Sequence, residues 1–311
     1  MTSDFRRYLR AKRSVDDRAL DRRVLATFRE AAAERAVDGP LRVLEVGAGI
    51  GTMLARFLEW DALPTGEISY TAVDVDADTV AGIEPYLREW AEGRDVSVSA
   101  TGGKIALEGS ERTVELGVVA EDAVAYAGNH PGEFDALVGS ALLDILELDA
   151  LEPLLGALSP GGVYYFPITF DGATRFYPAH PADRDIERRY HDHMDAKPGG
   201  SSRAGGEVLA SLRATAGVTV SAVGGSDWIV RPIDGVYPAD EAYFLRFVLD
   251  TVEEAVGEML AADGSDAVAL DEWLARRREQ LAAGELLYLT HQLDLSGRVE
   301  KPIRTGDPAA E

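Results

Sequence analysis

The chain has 311 residues, 46% of them apolar, so it can bury a sizeable core and is no disordered composition. A net charge of −23 disfavours nucleic acid, whose phosphates call for a basic surface. The absence of cysteine excludes disulfides, thiolate zinc sites and a cysteine nucleophile. Every window of about 18 residues carries charge or proline, and "MTSDFRRYLRAKR" lacks the apolar core of a secretory signal. The expectation is a cytoplasmic protein with no membrane partner. Only four of the 31 basic residues are lysines (Lys12, Lys104, Lys197 and Lys301), and acidic residues number 54. Excess carboxylates keep a surface hydrated in strong salt at the expense of self-repulsion. A halophile source is expected, against the alternative of arginine-rich codon usage. Stability measured against KCl should rise towards molar salt; a flat response would remove the halophile reading.

The basic cluster at 6–13 and 22–23 is followed closely by acidic residues and reads as a solvated helix face. Residues 1–40 form an N-terminal helical segment. Ser14 and Asp17 have capping-box spacing, and Val15, Leu20, Val24, Leu25 and Phe28 recur at helical intervals, so a helix over 15–36 is expected. Strand 41–46 opens a core over 41–231, in which helix-like and strand-like stretches alternate. Helix 51–60, strand 67–74 and helix 77–91 come first. Residues 95–119 are best read as a hairpin, broken at "TGGK" and "EGSE", leading into "VELGVVA". A short helix near 121–127, strand "FDALVGS", helix 147–158 and strand "GGVYYFPITF" follow. Residues 171–202 then insert a cap carrying the helix "DRDIERRYHDHMD". A helix over 203–216 leads to strands "GVTVSAV" and "DWIV". Helices 238–262 and 268–283 make a second cap within 232–284. Residues 285–296 read as the last core strand, with a helix as the alternative, and 297–311 as a flexible tail. The expected fold is α/β: a doubly wound, mostly parallel, seven-stranded Rossmann-like sheet with an N-terminal helix and helical cap insertions.

Between the first strand and its helix stand Gly47, Gly49 and Gly51 in G-x-G-x-G spacing, after Glu45. Glycines there permit unusual φ values and a close approach of ligand to backbone. The sixth position of a dinucleotide fingerprint is Thr52 instead of glycine, and the G-K-[ST] of a P-loop is missing. "LEVGAGIGT" resembles motif I of the class I S-adenosylmethionine-dependent methyltransferases, and the likeness continues through "YTAVDVD", "VVAEDAVAY", "FDALVGSALLDIL" and "LSPGGVYYF" over about 41–170. The resemblance implies S-adenosylmethionine as cofactor, its methionyl part on the glycine loop with Glu45 near the amino group. It implies ribose hydroxyls on Asp74, the adenine amino group on Asp122, a ring contact from the Ala123 N–H, and Ser140 in the loop under the cofactor. Asp144 falls where many members place a residue close to the transferred methyl group. The structural alternatives are a helix N-cap for Asp74 and first-turn carboxylates for Asp122 and Asp144.

Ligands of parallel sheets lie at the carboxyl ends of the strands, and both insertions leave the sheet at that end. They should roof a substrate chamber, with aromatics such as Phe176, Tyr177, Tyr190, Trp228, Tyr237, Tyr243 and Phe247 as candidate lining or as core. A general base would serve a hydroxyl or ammonium acceptor. Of the five histidines, His191, paired with Tyr190, is the candidate; a surface or structural role is its alternative. His191 and His193 lie two apart on a helix and cannot face one pocket; on a strand the pair could chelate metal, but no further ligand cluster is visible in the sequence and no metal is expected. The leading function is methyl transfer to a small molecule. The alternatives are a non-catalytic S-adenosylmethionine-binding regulator and a nicotinamide-dependent oxidoreductase. A homodimer is the one protein partnership considered.

Overall fold

The computed structural model describes residues 2–36, 39–301 and 303. Its centre is a ten-stranded sheet with β1 (Leu41–Val46), β2 (Gly66–Asp74), β3 (Val96–Thr101), β4 (Lys104–Gly109), β5 (Arg112–Ala120), β6 (Phe134–Gly139), β7 (Leu158–Tyr177), β8 (Val218–Gly225), β9 (Trp228–Val230) and β10 (Leu287–Val299). The order is β3-β4-β5-β2-β1-β6-β7-β10-β8, with β9 paired to β10. Strands β5, β2, β1, β6 and β7 run parallel, and β10 is antiparallel to both β7 and β8. This is the mostly parallel, doubly wound sheet expected. The strand count exceeds seven because the β3–β4 hairpin extends one edge and β9 adds a short strand.

Successive residues of the central strands enter opposite cores, as strands buried on both faces must. Val43 and Tyr165 pack on one side with Phe28 and Phe57; Leu44 and Tyr164 pack on the other with Leu154 and Leu212. The helices are α1 (Thr2–Ala19), α2 (Arg22–Arg35), α3 (Thr52–Glu59), α4 (Ala77–Val80), α5 (Ile83–Ala91), α6 (Ala123–Asn129), α7 (Leu151–Gly156), α8 (Asp183–Ala196), α9 (Ala204–Ala214), α10 (Glu241–Asp263) and α11 (Val268–Ala282).

Several boundaries differ from expectation. The N-terminal helix is two helices. Asp21, not Ser14, caps the second by accepting from the Arg23 and Val24 amides, while the Ser14 hydroxyl donates to Glu241. The helix expected over 77–91 breaks at Gly82. The helix expected over 147–158 keeps only Leu151–Gly156 as α-helix, after two 3₁₀ turns. β7 runs on to Tyr177 because β10 continues to pair with it, so the first cap begins later than 171. The tail assignment mostly falls outside the described residues; β10 itself reaches Val299.

The chain winds from β1 outward through β2 to β5, then returns to β6 on the other side of β1. That reversal opens a crevice at the carboxyl ends of β1, β2 and β6. β10 runs antiparallel, so the segment before it starts and ends on this same side, and α1, α8 and α10 pack together above the crevice.

Candidate functional site

The crevice is a cavity of about 530 Å³, within the range of small-molecule sites. Its floor is the turn after β1. Ala48 donates to the Val73 carbonyl at 3.0 Å and Gly51 to the Ala48 carbonyl at 2.9 Å, which folds the loop back on itself. Gly49, at φ +57°, turns its N–H to Asp74 Oδ2 at 2.9 Å. Gly47, at φ +65°, holds a left-handed conformation that strains a side chain, and a Cβ there would push on Leu142 Cδ1 at 2.9 Å. The other oxygen of Asp74 accepts from the Asp76 amide at 3.1 Å. Asp74 therefore shapes the glycine loop and still keeps acceptor capacity on both oxygens towards the cavity.

Glu45, at the end of β1, is 2% exposed and accepts from the Tyr70 hydroxyl at 2.7 Å. Burial pushes its carboxyl up to about 7, against the opposing pull of Tyr70 and Arg56. The unfolded chain titrates this group near 4.5. Its stabilising contribution is thus complete below that pH and is lost as the pH rises through about 7, a change of about 3 kcal/mol. Urea unfolding of Glu45→Gln should show a shallower fall in stability between about pH 5 and about pH 8 than the parent. An unchanged slope would mean that Glu45 titrates normally.

Asp122 caps α6, accepting from the Ala125 amide at 2.8 Å, and faces the cavity with Ala123. Ser140 lines it too, beside Ala141, whose φ of +51° bends the chain out of β6. Across the cavity Ile168 holds φ +58°, costly for a β-branched residue. Asp294 holds that bend, accepting from the Ile168 and Asp21 amides at 2.8 Å each.

The roof comes from α1 (Tyr8 and Lys12), α8 (Tyr190 and Met194), α10 (Phe247 and Thr251) and Trp228 of β9. Lys12 was read as part of a solvated face. It is instead buried, 2.7 Å from Asp16 Oδ2 and 5.1 Å from the Trp228 ring centroid. The Trp228 indole donates to the other Asp16 oxygen at 3.0 Å. A neighbouring cavity of about 410 Å³ between α8 and α10 shares Asp144, Ile145, Tyr190, Met194 and Thr251 with the first.

The structure gathers Glu45, Gly47, Gly49, Asp74, Asp122, Ala123, Ser140, Asp144 and Tyr190 on one cavity. Gly51, at φ +83°, caps α3 and is not part of the lining. His191 is also outside it: its Nε2 shares a 2.9 Å hydrogen bond with Thr174 Oγ1, its ring meets Phe170 edge-on, and burial pushes its pKa down. His193 turns away to Glu258. Of the named aromatics, Tyr190, Trp228 and Phe247 line the cavity, whereas Phe176 packs in the core against Trp273 and Tyr288. Among the residues that sequence reading missed are Tyr8, Lys12, Tyr288 and Gln292. The i, i+4 spacing of Lys12 and Asp16 was the one available signal for the first helix; the last strand offered none.

No protein-family model and no curated protein matches the chain. Among solved structures it is similar to a candidate methyltransferase from Bacillus halodurans C-125, at 14% identity and TM-score 0.47, over 89% of this chain and 99% of that one. It is also similar to YjhP of E. coli, at 14% identity and TM-score 0.41, over 89% and 93% of the two chains. The plantazolicin methyltransferase BamL, solved with a triazolic desmethylPZN analogue and SAH, is similar at 12% identity and TM-score 0.42, over 96% and 90%. With TM-scores below 0.5, these likenesses decide nothing about the site, which rests on its own geometry. Among the described residues no helix is long and apolar enough to cross a membrane.

Proposed function

We propose that the chain is an S-adenosylmethionine-dependent methyltransferase acting on a small molecule. The observation that carries this is the convergence of the Gly47–Gly51 turn, Asp74 and Asp122 on one roofed cavity at the strand-order reversal. The donor set fits the cofactor. Asp74 offers two carboxylate oxygens to a vicinal diol, the glycine turn admits a ligand close to backbone, and Glu45 can meet an ammonium group. When bound, the cofactor would supply a methyl group on a sulfonium sulfur, its carbon open to in-line displacement. The chain's residues then have three tasks: Asp74 and Asp122 hold one end, the α1, α8 and α10 roof excludes water, and the chamber walls align the acceptor. Asp144 lines the same cavity, and in this reading it takes a proton from the acceptor.

Calorimetric titration in high salt with S-adenosylmethionine, S-adenosylhomocysteine and NAD tests the proposal. Binding of the first two in the micromolar range, with none of NAD, is the expected result. Binding of NAD alone, or of none of the three, would overturn it. Tight cofactor binding without methylation of any metabolite extract would instead support a regulatory protein.

A further inference from the structure

Two acceptors in the cavity lack partners. Asp144 Oδ1 and Gln292 Oε1 are buried and accept no hydrogen bond among the described residues. Both residues line the cavity, so the missing donors have room to come from a ligand. A buried acceptor left unpaired is costly, and an unpaired buried carboxylate more so. The cation that acts on Asp144 does not meet the need: the Lys12 ammonium is already matched by Asp16 at 2.7 Å and by the Trp228 ring. Burial pushes the Asp144 carboxyl up, opposed in part by its own backbone amide and less by Lys12. The surrounding walls are rich in rings, with Phe5, Tyr8, Phe170, Tyr190, Phe247 and Tyr288 lining the same space as Trp228. Aromatic faces attract cations, and Lys12 over Trp228 shows this chamber already holding one that way.

These groups place the missing positive charge away from the floor. Asp144 interacts electrostatically with Tyr8, Tyr190 and Lys12, all of them roof residues, whereas Asp74 and Asp122 belong to the strand ends. We infer that the roof half of the chamber binds a protonated amine, with its N–H groups directed to Asp144 Oδ1 and Gln292 Oε1 and its apolar part among the aromatic rings. The assignment rests on the methyltransferase reading in making this amine the methyl acceptor. In that reaction an ammonium proton passes to Asp144, and the freed nitrogen lone pair forms the N–C bond. The methyl–sulfur bond breaks as it does so, and its electron pair stays on sulfur. A hydroxyl acceptor would also satisfy one oxygen, but it would leave the carboxylate charge unmatched.

The test compares benzylamine with benzyl alcohol and benzoate by ligand-observed NMR, on protein with and without saturating S-adenosylhomocysteine. Benzylammonium is expected to bind at least tenfold more tightly than the alcohol, with benzoate weakest. Asp144→Asn should remove most of that preference, and Gln292→Leu should weaken amine binding while leaving alcohol binding within about twofold. Equal binding of alcohol and amine, or a preference that survives Asp144→Asn, would overturn the inference. So would Asp144→Asn weakening S-adenosylmethionine much more than S-adenosylhomocysteine, because the carboxylate would then serve the sulfonium instead. Failure of S-adenosylhomocysteine to bind would remove the methyltransferase reading alone, since the amine preference is also read on the cofactor-free protein.

Discussion

Replacing Asp74 by alanine is expected to weaken binding of S-adenosylhomocysteine about a hundredfold, or about 3 kcal/mol. Two losses combine. The Gly49 and Asp76 amides lose their acceptor, so the loop that must approach the ligand is no longer held in its bound shape. The diol also loses a charged acceptor, and hydrogen bonds to charged groups contribute about 1.5–3 kcal/mol each. Asp74→Asn separates the two. Its remaining oxygen can still take the Gly49 N–H, so a loss nearer tenfold is expected. Titration calorimetry of both variants checks this, with thermal unfolding of the unliganded proteins as the control for folding. A loss of less than threefold in the alanine variant would reduce Asp74 to a loop staple and remove its part in holding the ribose.

The floor of this site was legible in the sequence because its parts are local. A glycine turn, an acidic residue at the end of each flanking strand and an apolar run before each of them lie within short stretches. Parallel strands buried on both faces announce themselves as mostly apolar runs, such as "LRVLEV" and "FDALVG", in which charged residues are few. Even so, the boundaries slipped wherever a distant residue decided them. Ser14 and Asp17 have the spacing of a capping box, yet Ser14 is spent on Glu241, 227 residues away. β7 continues past Phe170 only because β10 pairs with it there.

The roof was half legible. The topological argument that both insertions leave the sheet at the ligand end held, and α8 and α10 lie over the cavity. Which of their side chains face inward did not follow, because a helix among polar neighbours hides its buried face when that face is itself polar. Tyr190 lines the cavity while the adjacent His191 turns to Thr174. Lys12 looked like solvated charge until Asp16 and Trp228, 212 residues apart, closed around it.

Asp183→Ala is expected to be the most destabilising change outside the hydrophobic core, at about 3–5 kcal/mol. Asp183 Oδ1 accepts from the Trp273 indole at 2.8 Å and from the Arg277 guanidinium, so one carboxylate ties the start of α8 to α11. Arg277 is fully buried; it also donates to the Pro178 carbonyl at 2.6 Å and to Gln280 Oε1 at 2.7 Å. Without Asp183 its charge stays in the interior unmatched, and the indole loses its acceptor. The thermal midpoint should fall by roughly 10 °C. Arg188→Ala, which removes an exposed pair with Asp185 and Asp192, should cost less than about 1 kcal/mol. The double variant Asp183→Leu/Arg277→Leu should recover much of the loss, because removing both charges abolishes the unmatched one. If the single and double variants were equally destabilised, the pair would matter through packing alone. The consequence for the site is directional. Asp183 anchors the helix that brings Tyr190 and Met194 over the cavity, but it touches neither the glycine turn nor Asp74. A variant that still folds should therefore keep most of its affinity for S-adenosylhomocysteine at the floor and lose binding of benzylamine at the roof.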